Sequence, residues 1–267
     1  MKNSFYKNLT HRTELVIGTE KIERLYRSNI LIVGVGGVGS WCAEALVRSG
    51  VVNLTIVDSD IICTTNINRQ AQATSESVGK LKVNEMKKRL LEINPDANIL
   101  AINKAFTEEN HTEFQIEKYD YIVDAIDSIK HKVFLIEICQ KHKKKFISSM
   151  GAGARTNPLK IKVAKLEKTV NCALASTVRK RLRQKKLKVN FLCVYSDEVP
   201  VKPAIAAMCA GGDCVCNCDR EKINSDDNSN AIDWCSMKKQ INGALVHITG
   251  IFGFTLAGIV IQDLIKG

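Results

Sequence analysis

The stretch that most constrains this chain is residues 30–39, Ile-Leu-Ile-Val-Gly-Val-Gly-Gly-Val-Gly. Its first four residues form a short, continuous, mostly β-branched run ended by glycine, which predicts a buried strand. Gly34, Gly36 and Gly39 then fit G-x-G-x-x-G, and residues 40–48 continue with helical spacing. Glycines at these points let the backbone turn tightly and approach a phosphate resting on the amides of a helix N-terminus. A second apolar run, residues 54–58, ends in Asp58, about twenty residues after the loop, where a carboxylate is placed to take ribose hydroxyls. Strand, loop, helix, strand and acid in this order predict a nucleotide site.

The rest of the chain predicts the fold around it. Residues 19–27 read as a short amphipathic helix, whereas residues 1–17 carry no clean pattern. The polar stretch 59–79 is too long for an idle turn, and long loops in compact domains are usually functional. Helical spacing returns over 81–94 through Val83, Met86, Leu90 and Ile93, and Pro95 closes it. Strands follow at 99–102, 121–124 and 146–149, with a helix over 133–142 between the last two. This alternation predicts an α/β fold, a doubly wound and mostly parallel sheet with helices on both faces. After Gly151 the character changes to a strand at 161–166, a basic helix or helix end at 178–188 and an apolar run at 191–195. Residues 241–262 contain no Asp, Glu, Lys or Arg and have the length of a membrane span. Asn242, His247, Thr249, Thr255 and several glycines within them favour a core segment, so no stable membrane insertion is expected.

Composition adds a partner class. Lys and Arg number 39 against 28 Asp and Glu, a formal net charge of +11, which suits a polyanion such as nucleic acid. Cys42, Cys63, Cys139, Cys172 and Cys193 sit singly in apolar segments, as reduced core thiols do. The N-terminus has no apolar signal core, and a reducing, cytoplasmic setting is expected. The phosphate side of the site is cationic: Arg69 follows the glycine loop, then Lys80 and Lys82 at a helix start. A triphosphate with developing negative charge requires such groups, whereas a dehydrogenase does not. Asp124 and Asp127 close a later strand, where a carboxylate can hold magnesium that bridges phosphate oxygens.

These residues resemble a known family. Arg12-Thr-Glu-Leu-Val-Ile-Gly18, the glycine loop, Asp58-Ser-Asp60, Thr65-Asn-Ile-Asn-Arg-Gln70, Val78-Gly-Lys-Leu-Lys-Val83 and Asp124-Ala-Ile-Asp-Ser128 are similar to the ubiquitin-activating-like adenylyltransferases. That superfamily includes the enzymes that adenylate the molybdopterin-synthase and thiamine sulfur carriers. Within it, residues 66–70, 148–158, 164–169, 178–183, 194–200 and 249–257 resemble the tRNA threonylcarbamoyladenosine dehydratases. The resemblance implies a nucleotide-binding adenylation domain over 1–153. A C-terminal part, 154–267, would complete the sheet and form a basic, RNA-facing surface, with a flexible Cys-rich loop at 209–239. It implies ATP-dependent cyclisation of the threonylcarbamoyl group through a carboxyl-adenylate.

By resemblance, Gly34, Gly36, Gly37 and Gly39 lie under the nucleotide and Asp58 takes the ribose. Asn66, Arg69 and Lys82 take the phosphates, Asp127 holds magnesium, and Ser128 joins the nucleotide contacts. Arg69, Lys82 and Asp127 are thereby the expected catalytic set. Arg12 is expected to reach the nucleotide of the partner subunit in a homodimer. Arg179, Arg181 and Arg183 are the expected tRNA contacts, since phosphate contacts give salt-dependent affinity without reading sequence. Lys141 and Lys143–Lys145 form a second basic cluster. Cys209, Cys214, Cys216, Cys218 and Cys235 do not form the two C-x-x-C pairs of zinc-holding members. A zinc site, a loop with free thiols and a reactive thiol all remain open for them. The alternative substrate is the C-terminus of a sulfur-carrier or ubiquitin-like protein, which would make a sulfur-transfer or carrier protein a partner.

Overall fold

In this computed structural model, which describes residues 4–202, 204 and 243–266, the chain runs through seven strands and seven helices among the described residues. The first half comprises α1 (Ser4–Ile17), α2 (Thr19–Arg27), β1 (Asn29–Val33), α3 (Gly39–Arg48), β2 (Asn53–Val57), α4 (Lys82–Ile93) and β3 (Asn98–Ile102). The second comprises β4 (Tyr121–Asp124), α5 (Ile129–Lys141), β5 (Phe146–Ser149), β6 (Ile161–Lys165), α6 (Ala173–Gln184), β7 (Leu192–Ser196) and α7 (Val246–Ile265). The strands form one sheet in the order β3-β2-β1-β4-β5-β7-β6, parallel except for the β6–β7 pair. The doubly wound α/β sheet expected from the alternation is present.

Alternation along the strands builds the core on both sides. Ile30 and Ile32 of β1 pack with Leu54 and Ile56 under α3 and α4, while Leu31 and Val33 face Ile122, Leu135 and Ile138 under α5. A third cluster joins α5 and α6 over the far strands through Ile136, Val178, Leu182 and Cys193. Cys42, Cys63, Cys139, Cys172 and Cys193 are buried thiols that form no disulfide among the described residues. Cys209, Cys214, Cys216, Cys218 and Cys235 lie outside the described residues, and so does the loop expected there.

The α5 helix starts at Ile129 rather than 133, and two further elements differ from the sequence expectation. Residues 4–17 form α1, which shows no clean pattern because it buries only Tyr6 and Thr10. Tyr6 donates its hydroxyl to the Gly50 carbonyl at 2.7 Å, which pins α1 at the amino edge of the sheet. The basic stretch is the end of a helix that begins at Ala173 and stops at Gln184, its first turns facing the third core cluster through Ala175 and Val178.

The apolar C-terminal segment becomes α7, a helix long and apolar enough to cross a membrane. Here Ile248, Phe252, Leu256, Ala257 and Val260 enter the main core, and 44% of its most apolar window is buried. Its crossing with α3 depends on Gly253, where a Cβ would lie 2.6 Å from the Val38 carbonyl oxygen and 2.7 Å from Trp41 Cβ. Gly253→Val is therefore expected to lower stability by about 1–3 kcal/mol in urea denaturation. Gly258→Ala, with nothing within 4 Å of the added carbon, serves as a neutral control. Equal unfolding midpoints for the two variants would remove the close crossing from the account.

Candidate active site

The strand order reverses its sense between β1 and β4, and in open parallel sheets ligands bind at such a switch point, beyond the carboxyl ends of the strands. Ladder bonds continue past those ends: Gly34 N donates to Val57 O at 2.7 Å and Ala125 N to Val33 O at 2.9 Å. The loops after β1, β2 and β4 consequently leave side by side.

The glycine loop has two kinds of glycine. Gly34 has φ +93°, and a Cβ there would lie 2.7 Å from the Ala125 carbonyl oxygen; a Cβ at Gly39 would lie 1.8 Å from the Gly34 carbonyl oxygen. These two pack backbone on backbone. Gly36 instead has nothing within 4 Å, and α3 starts at Gly39 with no side chain capping it. The open space is thus above a bare helix start, where an anion is favoured.

Asp58 follows β2 directly and braces this loop. Its Oδ2 accepts from the Val35 amide at 2.8 Å and its Oδ1 from the Asp60 amide at 2.9 Å. Burial raises the Asp58 pKa, against the pull of Lys82. From the other side, Gln72 donates its amide to the Val35 carbonyl at 2.8 Å.

The expected phosphate ligands hang from the segment between β2 and α4, which folds back over α3. Ala71 N donates to Ser40 Oγ at 3.1 Å, and the Trp41 indole donates to the Arg69 carbonyl at 3.0 Å. A short 3₁₀ turn at Thr64–Asn66 is closed by Asn66, whose Oδ1 accepts from the Cys63 amide at 3.1 Å. The Arg69 Nη1 donates to Thr65 O and Asn68 Oδ1, and its aliphatic stem lies over Gly37. Burial lowers the Arg69 pKa, opposed by Cys63 and Asp127.

Lys82 begins α4 with its side chain 8% exposed, and its Nζ meets Asp60 Oδ2 at 2.6 Å. Burial works against its charge, but Asp58 and Asp60, with Asp127 behind them, outweigh it and raise its pKa. Asp127 is exposed on the turn before α5 and acts electrostatically on both Arg69 and Lys82, and Ser128 stands next to it at the helix cap. Asp124, the other carboxylate at this strand end, turns the opposite way. It is 1% exposed and paired with Lys132 at 2.7 Å, so it faces the core.

Gly34, Gly36, Gly37, Gly39, Asp58, Asn66, Arg69, Lys82, Asp127 and Ser128 thus sit on neighbouring loops at one edge of the sheet. Arg12 does not join them: it is exposed on α1, at the opposite edge. On α6, Arg179 spends its Nη1 on Leu166 O, Thr169 O and Thr169 Oγ1 at 2.8–3.1 Å, while Arg181 and Arg183 are exposed. Asp60 was legible only as part of Asp58-Ser-Asp60, and nothing local marks Trp41, Gln72 or Lys132 as neighbours of the site. C-terminal residues also reach it: Ala244 O accepts from Asn68 at 3.0 Å, and Thr249 packs beside Gly37.

Comparison with known proteins places this geometry. Residues 10–266 match the ThiF family. The chain is 42% identical over 190 residues to the tRNA threonylcarbamoyladenosine dehydratase of Bacillus subtilis (strain 168), covering 71% of this chain and 75% of that protein. It is 36% identical over 254 residues to the protein of that name from Haemophilus influenzae, covering 92% and 89%. A solved structure of E. coli tRNA N6-threonylcarbamoyladenosine dehydratase, TcdA, in complex with ATP superposes with a TM-score of 0.82 at 28% identity, covering 100% and 97%.

The bracing of the glycine loop gives a direct expectation. Asp58→Ala leaves the Val35 and Asp60 amides without their acceptor and is expected to cost about 1–3 kcal/mol in urea denaturation. A midpoint unchanged from wild type would show that Asp58 does not anchor the loop.

Proposed function

Because the chain belongs to the ThiF family, we propose that it acts as an ATP-dependent tRNA threonylcarbamoyladenosine dehydratase, cyclising the threonylcarbamoyl group through a carboxyl-adenylate. The observation that carries this reading is the reach of the likeness. It runs through 92% of the chain in the Haemophilus relative and 100% in the E. coli structure, well past the nucleotide half.

The chemistry follows from a poor leaving group. A free carboxylate cannot lose oxide at neutral pH. Its oxygen attacks the α-phosphate of ATP, the bond to the β-phosphate breaks, and pyrophosphate leaves. A nucleophile in the same side chain then attacks the activated carbonyl, gives up its proton, and expels AMP with the original carboxylate oxygen. The net change in the nucleoside is loss of water. Ring closure is intramolecular and gains from proximity, so no enzyme thiol is required.

In this reading Gly34, Gly36, Gly37 and Gly39 form the floor under ATP, and Asp58 offers its remaining lone pairs to the ribose. Asn66 donates to the phosphates, and Arg69 and Lys82 neutralise them as charge builds on the leaving pyrophosphate. Ser128 and Asp127 close the β4 side. Among the described residues no three His, Cys, Asp or Glu side chains cluster as metal ligands. The exposed Asp127 would hold magnesium, a hard cation that favours a carboxylate oxygen. Bound there, the metal would offset phosphate charge.

We assign the nucleotide half to 1–153 and the RNA-facing part to 154–267, with Arg181 and Arg183 as the exposed phosphate contacts and Arg179 as the brace that holds their helix to residues 166–169. A homodimer with Arg12 supplied across the interface suits its place on the far edge. A cytoplasmic location suits a tRNA substrate.

The deciding experiment is mass analysis of tRNA nucleosides after incubation with threonylcarbamoyl-modified tRNA, ATP and magnesium. Loss of one water, dependent on ATP, is expected. Pyrophosphate release only when a small carrier protein is added would move the protein to the sulfur-carrier class. In the same assay Asp127→Ala is expected to abolish pyrophosphate release with an unchanged circular dichroism spectrum, and wild-type rates would strike Asp127 from the site. Neutralising Arg181 and Arg183 is expected to reduce the salt slope of tRNA binding by about one per lost phosphate contact. An unchanged slope would move the RNA footprint elsewhere.

A further inference from the structure

Lys132 is 0% exposed, yet it carries an ammonium into the core one helical turn past the start of α5. Its Nζ donates to Asp124 Oδ2 at 2.7 Å, to Ser149 O at 2.9 Å and to Ser148 Oγ at 3.3 Å. The three donors of the ammonium meet three acceptors, which leaves it no role as an acid, a base or a nucleophile. Ser148 also donates to Asp124 Oδ2 at 2.5 Å.

A buried ion pair is no better for stability than well-packed apolar residues, so its presence calls for another account. The other Asp124 oxygen supplies one. Oδ1 accepts from the Ile126 amide at 3.1 Å, which closes the turn at the end of β4 and sets the direction in which the next residue, Asp127, leaves. Ala125, inside that turn, is clamped from above by its bond to Val33 and by its contact with Gly34. The turn is therefore held by the glycine loop on one side and by Asp124 on the other, and Asp124 is held by Lys132 and Ser148.

We infer that Lys132 and Ser148 are positioning residues for Asp127: through Asp124 they hold the β4–α5 turn so that the Asp127 carboxylate meets magnesium-bound ATP. This rests on the reading of Asp127 as part of the ATP site. The ammonium also bonds the end of β5, so one buried charge ties the turn to the strand that leads into the C-terminal part.

The test compares full-length wild type with Lys132→Met, the double variant Asp124→Leu with Lys132→Met, Ser148→Ala and Asp127→Asn. ATP affinity is measured by calorimetry with and without magnesium chloride, and fold by thermal unfolding. Lys132→Met alone leaves Asp124 buried and unpaired and is expected to melt early, whereas the double variant regains most of the lost melting temperature. Even so, the folded double variant is expected to bind ATP about tenfold more weakly with magnesium, and nearly as wild type without it, as when the support of a metal ligand is removed. Ser148→Ala, which keeps the ion pair, is expected to show a smaller loss in the same direction and carries the test should the double variant not fold. Wild-type affinity for ATP with magnesium in either folded variant overturns the inference. If Asp127→Asn weakens that affinity and the double variant does not, only the brace is wrong. If Asp127→Asn binds as wild type, the site reading fails and the inference falls with it.

Discussion

The closest backbone approach at the site is the one on which the rest depends. Gly39 begins α3 so near the Gly34 carbonyl oxygen that a Cβ would stand 1.8 Å from it. That contact seats the helix directly on the end of β1, where the Ser40 amide donates to the Gly36 carbonyl at 3.1 Å. Asp58 and Gln72 then grip Val35 from two sides, one at its amide and one at its carbonyl. The loop is consequently stiff, and a stiff loop is what electrostatic stabilisation of a departing pyrophosphate requires, because the donors need not reorganise during the reaction.

Around this loop the charges are sorted by burial. In a chain of net charge +11, the two site cations are held among carboxylates rather than left in solvent. Lys82 is enclosed by Asp58 and Asp60, and Arg69 lies under the influence of Asp127. Asp124 and Asp127 share one motif but face opposite ways, one into a core ion pair and one to the open edge. The core aspartate shapes the turn, and the other lies exposed at its tip.

The C-terminal chain is part of this arrangement. α7 crosses α3 at Gly253, Thr249 packs against Gly37, and Trp41 between the two helices bonds the Arg69 carbonyl. Arg69 therefore takes its position partly from residues more than two hundred positions downstream of the glycine loop. Loss of α7 packing would reach the nucleotide site without touching any of the glycines.

Local order alone determined the alternating strands and helices, the glycine loop, Asp58 at the strand end and the family, because each depends on spacing along the chain or on a backbone shape that only glycine takes. Tertiary structure decided which aspartate of Asp124-Ala-Ile-Asp127 turns into the core and which stays exposed, that Arg179 holds a loop while Arg181 and Arg183 face outward, and that α1 forms on little more than Tyr6 and Thr10. It also decided that residues 246–265, membrane-like in composition, pack on α3. The physical reason is common to these cases. A side chain's partner is set by what the fold brings from elsewhere, such as Ser148 to Asp124 or Leu166 to Arg179, and no spacing within a segment records it.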